Sequence, residues 1–322
     1  MDLNPQPIDL TDEYPEAVAG LAELTAESPP SWLRSAMFSS ALGRRAAKSP
    51  IRAIAPSGPV AGYLTTVAEL RTMLDTLDPA DWLRPLVAVG PGADTIDGWT
   101  IKDLVAHLIA IESYFSASLG LGAWTPPEGT EADHRAMTLA TIDARRSEPS
   151  KSVFAAWSGL VDRLVDRLSA VTDEELAQRV KFHTLQLPLR QILTIRTFEV
   201  WTHVEDVARS MALPAPGLDG ARLPAMTTFA VGLVPFGLAI QQRPRPGRSA
   251  RIVLTGPGGA TFDQALNWGE TAGEPDVLLV ADAVDFCRLA AKRADASEMA
   301  YFAEGDVELV DDIFAGCAVL AA

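Results

Sequence analysis

One uninterrupted helical stretch constrains the fold of this chain more than any other feature of the sequence. Residues 196–210, RTFEVWTHVEDVARS, contain neither glycine nor proline, and they place Arg196, Glu199, His203 and Asp206 at positions i, i+3, i+7 and i+10. Residues at these spacings share one face of an α-helix, so Glu199 and His203 can reach a common atom. The flanking residues are apolar, and a buried polar stripe needs hydrogen-bond partners or a metal ion. The alternative is an ordinary Glu–His pair beside an arginine on a solvated face.

Helical periodicity runs through the middle of the chain. Apolar residues recur every three to four positions in four long segments, and a shorter helix is expected over 136–147. The four long segments span 63–77, 101–119, 151–168 and 188–211. Long helices joined by two long connections predict an up-and-down bundle, an architecture whose core often holds metal sites.

The periodicity changes after the linker LPAPG at 213–217. The apolar segment 220–242 predicts a helix, and the short β-branched runs within 250–260 and 275–283 predict strands bounded by glycine and proline. Two more helices are expected over 284–293 and 306–321. This pattern indicates a small α/β domain.

The chain is therefore expected to have three parts. Residues 1–57 form an N-terminal extension, interpreted as a strap on the main body or as a docking segment. Residues 58–212 form the four-helix bundle, and residues 213–322 form a linker helix and the small α/β domain. The expected fold class is α plus α/β, and 322 residues are enough for two domains.

The charge balance excludes several classes of partner. A formal net charge of −15 argues against a general nucleic-acid or anionic-membrane surface, because both require clustered lysine and arginine. We expect no apolar run of the roughly 18 residues that span a bilayer, and no signal peptide. Cys287 and Cys317 form neither a disulfide framework nor a CxxC motif. These features predict a reduced, cytoplasmic protein.

A third candidate ligand lies on the second helix. Thr100 is the expected N-cap of this helix, and Asp103 lies three residues after it. His107 lies one helical turn beyond Asp103. Together with Glu199 and His203, a histidine from this helix would leave one coordination position open, which is the layout of a catalytic zinc site. Two alternatives stay open here. His107 could be a core histidine with one satisfied nitrogen, or it could pair with Asp103 across one helical turn.

Spacing alone assigns no role to several other polar residues. His134 and His183 could approach a substrate, but nothing in the sequence positions them. Arg288, Lys292 and Arg293 form a basic helix face that could bind a substrate carboxylate. A solvated face is the ordinary interpretation of such a group.

Two motifs together carry a family resemblance. GWTIKDLVAHL at 98–108 and RTFEVWTHVEDVA at 196–208 resemble the mycothiol-dependent maleylpyruvate isomerase family, which belongs to the DinB-like metal-binding helical bundles. The resemblance covers roughly residues 60–212. It implies that His107, Glu199 and His203 are the metal ligands. It also implies that Asp206 is a hydrogen-bond partner that supports a ligand.

The resemblance extends to the C-terminal part. Family members often end in a small domain similar to sterol carrier proteins, and VADAVDFCRLAAKR and EGD at 304–306 resemble that module. An arginine of this domain assists substrate binding in the isomerase, and Arg293 or Arg288 is the candidate here. A common WGR motif of related sequences is WGE at 268–270, which puts an arginine role at that position in doubt.

The resemblance implies an enzyme that uses Zn²⁺ or another divalent metal. A thiol at the open position, mycothiol or a related low-molecular-weight thiol, would lose its proton and attack a small electrophile, in an isomerase or a thiol transferase. Arg196, Arg288 and Arg293 are the candidates for local positive charge toward an anionic substrate. The implied partners are therefore the thiol and the electrophile, and an oligomer is compatible with the sequence.

Two other functions are compatible with the sequence. The C-terminal domain could bind an apolar ligand, which the apolar segment 227–240 would favour. Alternatively, residues 1–57 could dock a partner while the bundle senses metal or thiol stress.

Overall fold

Helices precede a mixed β-sheet, as expected for the α plus α/β class. A computed structural model describes residues 58–93, 96–122, 128, 133–182, 185–214, 216–218 and 222–320. The extension 1–57 lies outside these residues, so its role as a strap or docking segment stays a prediction.

Four long and two short helices make up the helical part of the described chain. Their bounds are α1 Pro59–Asp75, α2 Ile101–Ser118, α3 His134–Ala144, α4 Ser150–Ser169, α5 Asp173–Ala177 and α6 Leu189–Ser210. All but α5 match predicted segments to within a few residues. The five residues of α5 begin in a capping box between Thr172 and Glu175 and bury no side chain, so no apolar period marks them.

The helix that carries His107 begins at a capping box. The Thr100 side chain accepts a hydrogen bond from the Asp103 backbone N–H at 3.2 Å, and the Asp103 carboxylate accepts one from the Thr100 N–H at 2.9 Å. Such a box satisfies two N–H groups that the first turn leaves unpaired. Asp103 is thus confirmed as a capping residue, and its carboxylate is engaged at the helix start rather than with His107.

Helix α6 is buried on nearly all sides because it borders two apolar cores. Val200 and Val204 join the core built by α1, α2 and α4, whereas Phe198 and Trp201 join the core of the C-terminal part. Helix α1 packs on α6, and α2 packs on both α3 and α4. The polar stripe of α6 therefore lies in the interior. The assignment of these helices to a DinB-like four-helix bundle stays a prediction.

A short antiparallel hairpin precedes α6. Strands β1 Arg179–Phe182 and β2 Leu185–Pro188 pair in register, Arg179 with Pro188 and Phe182 with Leu185. This hairpin was not predicted, because strands of four residues are too short to show a period. His183 lies outside the described residues.

The C-terminal part contains a four-stranded sheet with the order β4-β3-β5-β6. The strands are β3 Ser249–Thr255, β4 Thr261–Ala265, β5 Val277–Asp282 and β6 Tyr301–Gly305. The parallel central pair, β3 and β5, corresponds to the two predicted runs. The antiparallel edge strands β4 and β6 were not predicted, because they are mostly exposed and lack a buried apolar run.

Three helices cover this sheet: α7 Leu223–Ile240, α8 Ala283–Ala290 and α9 Leu309–Cys317. By length and composition α7 could cross a membrane, contrary to the expectation that no run reaches that length. Half of it is buried inside the protein, where it packs on α8 and α9. The described residues form one compact unit with two apolar cores. The domain boundary at 212/213 and the sterol-carrier likeness stay predictions.

Candidate metal centre

The structure brings His107 of α2 together with Glu199 and His203 of α6. One ligand atom from each residue lies within 4.8 Å of the other two. All three side chains are buried, with exposed fractions of 2% for His107, 7% for Glu199 and 0% for His203. His107 Nε2 lies 3.0 Å from Glu199 Oε1, and the two imidazole rings meet edge-on with centroids 5.2 Å apart. The predicted ligand set is therefore assembled from two helices.

A hydrogen bond orients each imidazole through its Nδ1 atom. His107 Nδ1 lies 2.8 Å from Thr138 Oγ1 of α3, and His203 Nδ1 lies 3.2 Å from Asp206 Oδ2 one turn along α6. Both Nε2 atoms thereby point into the shared space. A fixed Nδ1 partner of this kind is typical of histidines that bind metals through Nε2.

The atoms that face this shared space lack hydrogen-bond partners. Among the described residues, His107 Nε2, Glu199 Oε1 and His203 Nε2 are all buried without a hydrogen-bond partner, although His107 Nε2 and Glu199 Oε1 lie only 3.0 Å apart. A buried polar atom left unsatisfied costs about 1–3 kcal/mol. Three such atoms converging on one point fit a bound divalent cation, and two imidazoles with a carboxylate are a donor set that Zn²⁺ accepts.

Neighbouring charges keep the carboxylate of Glu199 ionised. Burial alone would raise the pKa of Glu199, but the neighbouring charges, foremost the Arg196 guanidinium, outweigh it and hold that pKa well below its ordinary value. Arg196 Nη1 donates a hydrogen bond to Glu199 Oε2. Burial also lowers the pKa of His107, against a smaller opposing effect of Glu199. The pair is thus an anionic carboxylate beside a neutral imidazole, which are the forms that bind metals.

The arginine of the polar stripe belongs to a buried network. Arg196 is fully buried, and its Nη2 donates to Glu112 Oε1 of α2 at 2.8 Å. The Tyr63 hydroxyl of α1 donates to the other oxygen, Glu112 Oε2, at 2.7 Å. The sequence suggested Arg196 as a positive charge toward substrate, and the structure places it behind Glu199 instead, between two carboxylates.

Asp206 links the candidate ligands to the C-terminal part. Besides His203, its carboxylate accepts hydrogen bonds from Arg293 Nη2 at 3.0 Å and from Arg293 Nε at 3.3 Å. Burial would raise the pKa of Asp206, but His203 and Arg293 together lower it below its ordinary value. Arg293 is buried and keeps one nitrogen, Nη1, without a hydrogen-bond partner among the described residues. Arg288 is 37% exposed and pairs with Glu205 at 2.9 Å.

His134 is the site residue that spacing could not place. It is the first residue of α3, its side chain is 36% exposed, and its Nε2 lies 4.0 Å from Glu199 Oε1. Its ring centroid is 5.4 Å from that of His107. Burial is the main cause that lowers the pKa of His134 to about 4. His134 therefore lies at the outer side of the cluster as a neutral imidazole at neutral pH.

The first of the two sequence motifs also has a structural explanation. Gly98 adopts a positive φ of 74°, and Trp99 places its ring 5.5 Å from His107 between centroids. The GWT sequence thus makes the turn before α2 and supplies an apolar neighbour for a candidate ligand.

The fold and the site define a protein whose helices bury a His-Glu-His cluster suited to a divalent metal. Residues 63–208 match the family model described as the mycothiol maleylpyruvate isomerase N-terminal domain. The helical part of the chain accordingly carries this domain, which confirms the resemblance drawn from the two motifs.

Two solved structures resemble the chain. A crystal structure of the mycothiol-dependent maleylpyruvate isomerase is 15% identical, with a TM-score of 0.49, and the match covers 76% of this chain and 91% of that one. A histidine-to-alanine mutant of that isomerase is 16% identical, with a TM-score of 0.48 and the same coverage. A likeness of this degree says nothing about activity. A comparison with proteins of curated function gives no match.

Proposed function

We propose that this protein is a divalent-metal-dependent enzyme in which a low-molecular-weight thiol attacks a small electrophile, as an isomerase or a thiol transferase. His107, Glu199 and His203 hold Zn²⁺ or another divalent metal, and mycothiol or a related thiol is the cosubstrate. The observation that carries this proposal is the convergence of three buried, unsatisfied ligand atoms within 4.8 Å. The name of the matched family supports mycothiol as the thiol.

The ligand set suits an anionic fourth ligand. Two neutral imidazoles and one carboxylate leave a divalent metal with net positive charge and an open position. A metal bound there lowers the pKa of a thiol, which provides the thiolate nucleophile that both reactions require.

The residues around the ligands have separate tasks in this proposal. Thr138 and Asp206 orient the two imidazoles, and Arg196 keeps Glu199 ionised. His134, on the exposed side, contacts the substrate as a neutral imidazole. Arg293 Nη1 is the best candidate among the three arginines for a substrate carboxylate, because it has no hydrogen-bond partner among the described residues. Arg288 contributes positive charge nearby.

Metal content tests the proposal directly. We expect metal in the purified wild-type protein, its loss in His107→Ala and His203→Ala, and its retention in His134→Ala, a matched histidine outside the ligand set. Elemental analysis by mass spectrometry measures this, and circular dichroism confirms folding. Full metal content in both ligand variants would contradict the proposal. Conversion of maleylpyruvate with and without mycothiol then tests the reaction class.

One cavity of the C-terminal part does not suit the apolar-ligand alternative. A cavity of about 550 Å³ is lined mainly by charged side chains, with Arg243, Arg245 and Arg248 facing acidic residues. An apolar ligand needs mostly apolar walls. The sensing alternative depends on residues 1–57, which lie outside the described part. We retain the DinB-like bundle, the sterol-carrier-like domain and the cytoplasmic location as parts of the proposal.

A further inference from the structure

A chain of buried polar side chains continues behind the candidate ligands. The Tyr63 hydroxyl donates to Glu112, Arg196 donates to Glu112 from one terminal nitrogen, and Arg196 donates to Glu199 from the other. The four residues come from α1, α2 and α6, and two of these helices, α2 and α6, carry the candidate ligands. All four side chains are buried.

This network is larger than the ionisation of Glu199 requires. One arginine beside the carboxylate would keep it charged, yet the protein also buries Glu112, at a desolvation cost that only close pairing offsets. Glu112 and Glu199 hold the two terminal nitrogens of Arg196 on opposite sides, and Tyr63 in turn holds Glu112. The plane of the guanidinium group is therefore fixed, and the direction of its bond to Glu199 is fixed with it.

The two oxygens of Glu199 consequently face different partners. Oε2 is occupied by Arg196, whereas Oε1 faces the histidines and lies 3.0 Å from His107 Nε2. A carboxylate free of Arg196 could turn both oxygens toward a metal.

Building on the proposed function, we infer that Arg196, held by Glu112 and Tyr63, is a positioning residue that restricts Glu199 to one-oxygen coordination. The position that a second carboxylate oxygen would fill stays open for the thiol. Arg196 acts through Glu199 and does not contact the substrate.

A charge-balanced double variant tests this inference. Arg196→Met with Glu112→Gln removes one positive and one negative charge, so the buried group keeps its net charge, while the amide oxygen introduced on α2 can still accept from Tyr63. The protein is loaded with Co²⁺, whose visible absorption weakens as its coordination number rises, and is titrated with N-acetylcysteine. We expect weaker bands than in the wild type and a thiol affinity lower by about tenfold or more.

Matched variants keep the test decisive. Arg167→Met with Glu175→Gln makes the same two substitutions at a more exposed ion pair, and we expect it to give the wild-type spectrum and thiol affinity. If the first double variant does not fold by circular dichroism, Tyr63→Phe retains every charge and should show a smaller loss in the same direction. A wild-type spectrum and thiol affinity in the folded network variants would overturn the inference alone. A wild-type protein that takes up no Co²⁺ would overturn the proposed function, and this inference with it.

Discussion

At the scale of single residues, each candidate ligand is oriented by a different neighbour. Thr138 holds the His107 ring, Asp206 holds His203, and Arg196 holds one oxygen of Glu199. Metal sites depend on such supporting contacts because they fix the direction of the lone pairs before the metal arrives. The three contacts therefore make separate, testable contributions to metal affinity.

Removing the contact to His107 should weaken metal binding without changing the shape of the core. Thr138→Val replaces the hydroxyl by a methyl group of similar size, and we expect the dissociation constant of Zn²⁺ to rise about 10- to 100-fold. Thr138→Ser keeps the hydroxyl and should bind nearly as tightly as the wild type. Competition with a chromogenic chelator measures both. Equal affinities of the Val and Ser variants would show that Thr138 does not orient His107.

Acid should destabilise the metal-free protein at a pH above the ordinary range of carboxyl titration. Burial lowers the pKa of His107 and lowers that of His134 from 6.5 to about 4. Between pH 6.5 and about pH 4, the unfolded chain binds more protons than the folded one. The free energy of unfolding therefore rises with pH and is lost as the pH falls. Urea unfolding of chelator-treated protein from about pH 7.5 to about pH 4.5 measures this loss. His134→Gln should flatten the dependence, and an unchanged slope would contradict the assignment to His134.

The sequence revealed the part of the site that follows from spacing within one helix. Glu199, His203 and Asp206 share a face of α6 and were paired from their positions alone. His107 was a candidate third ligand, and the family resemblance then supported it. Tyr63 and Glu112 were not assigned a place in the site, because their contacts join residues 49 and 84 positions apart. His134 was not placed either, because it approaches Glu199 and His107 from a different helix. A glutamate inside the apolar stretch of α2 was the one available signal for Glu112.

At the scale of elements, helix α7 packs closely on α9 through two glycines. A Cβ atom added at Gly237 would clash with the backbone carbonyl of Gly316, and one added at Gly316 would lie 2.5 Å from the carbonyl oxygen of Val234. The two helix backbones thus approach more closely than any side chain permits. This contact explains why an apolar helix of 18 residues fits inside a small domain.

Two glycine substitutions in the same helix should have opposite effects. Gly237→Ala forces α7 and α9 apart and should lower the free energy of unfolding by about 1–3 kcal/mol. Gly232→Ala has nothing within 4 Å of the new Cβ and should raise it by about 0.5–1 kcal/mol through helix propensity. Urea unfolding of both variants is the measurement. A neutral effect of Gly237→Ala would show that the helices can separate without cost.

Elements were predictable where a buried face repeats over several turns or where a strand contains a run of β-branched and other apolar residues. Helices α1, α2, α4 and α6 and strands β3 and β5 meet this condition. The edge strands β4 and β6 do not, since their side chains are largely exposed and their strand character comes from pairing with β3 and β5. The hairpin before α6 likewise depends on a partner strand rather than on its own four residues.

At the scale of the whole molecule, adjacent acidic residues of α6 bind arginines of the C-terminal part. Asp206 pairs with Arg293, and Glu205 pairs with Arg288. Only the first pair touches a candidate ligand, because Asp206 also contacts His203. The two pairs therefore allow structural and metal-related effects to be separated.

Replacing the two arginines should affect different properties. Arg293→Met leaves Asp206 buried without its main cation, so both thermal stability and metal affinity should fall, the latter by about tenfold or more. Arg288→Met should lower stability but leave metal affinity near that of the wild type. Thermal unfolding and zinc competition measure the two properties. Equal metal affinities of the two variants would show that Arg293 does not support His203.

The position of α6 between two apolar cores determines how the chain can be divided in the laboratory or in evolution. A fragment cut at the 212/213 linker would expose Phe198 and Trp201 and would leave Asp206 without Arg293. If relatives exchanged their C-terminal parts, the incoming part would need arginines equivalent to Arg288 and Arg293. It would also need the apolar surface that covers Phe198 and Trp201. The linker in the sequence is thus a poor cloning boundary, and we expect the two halves to be inherited together.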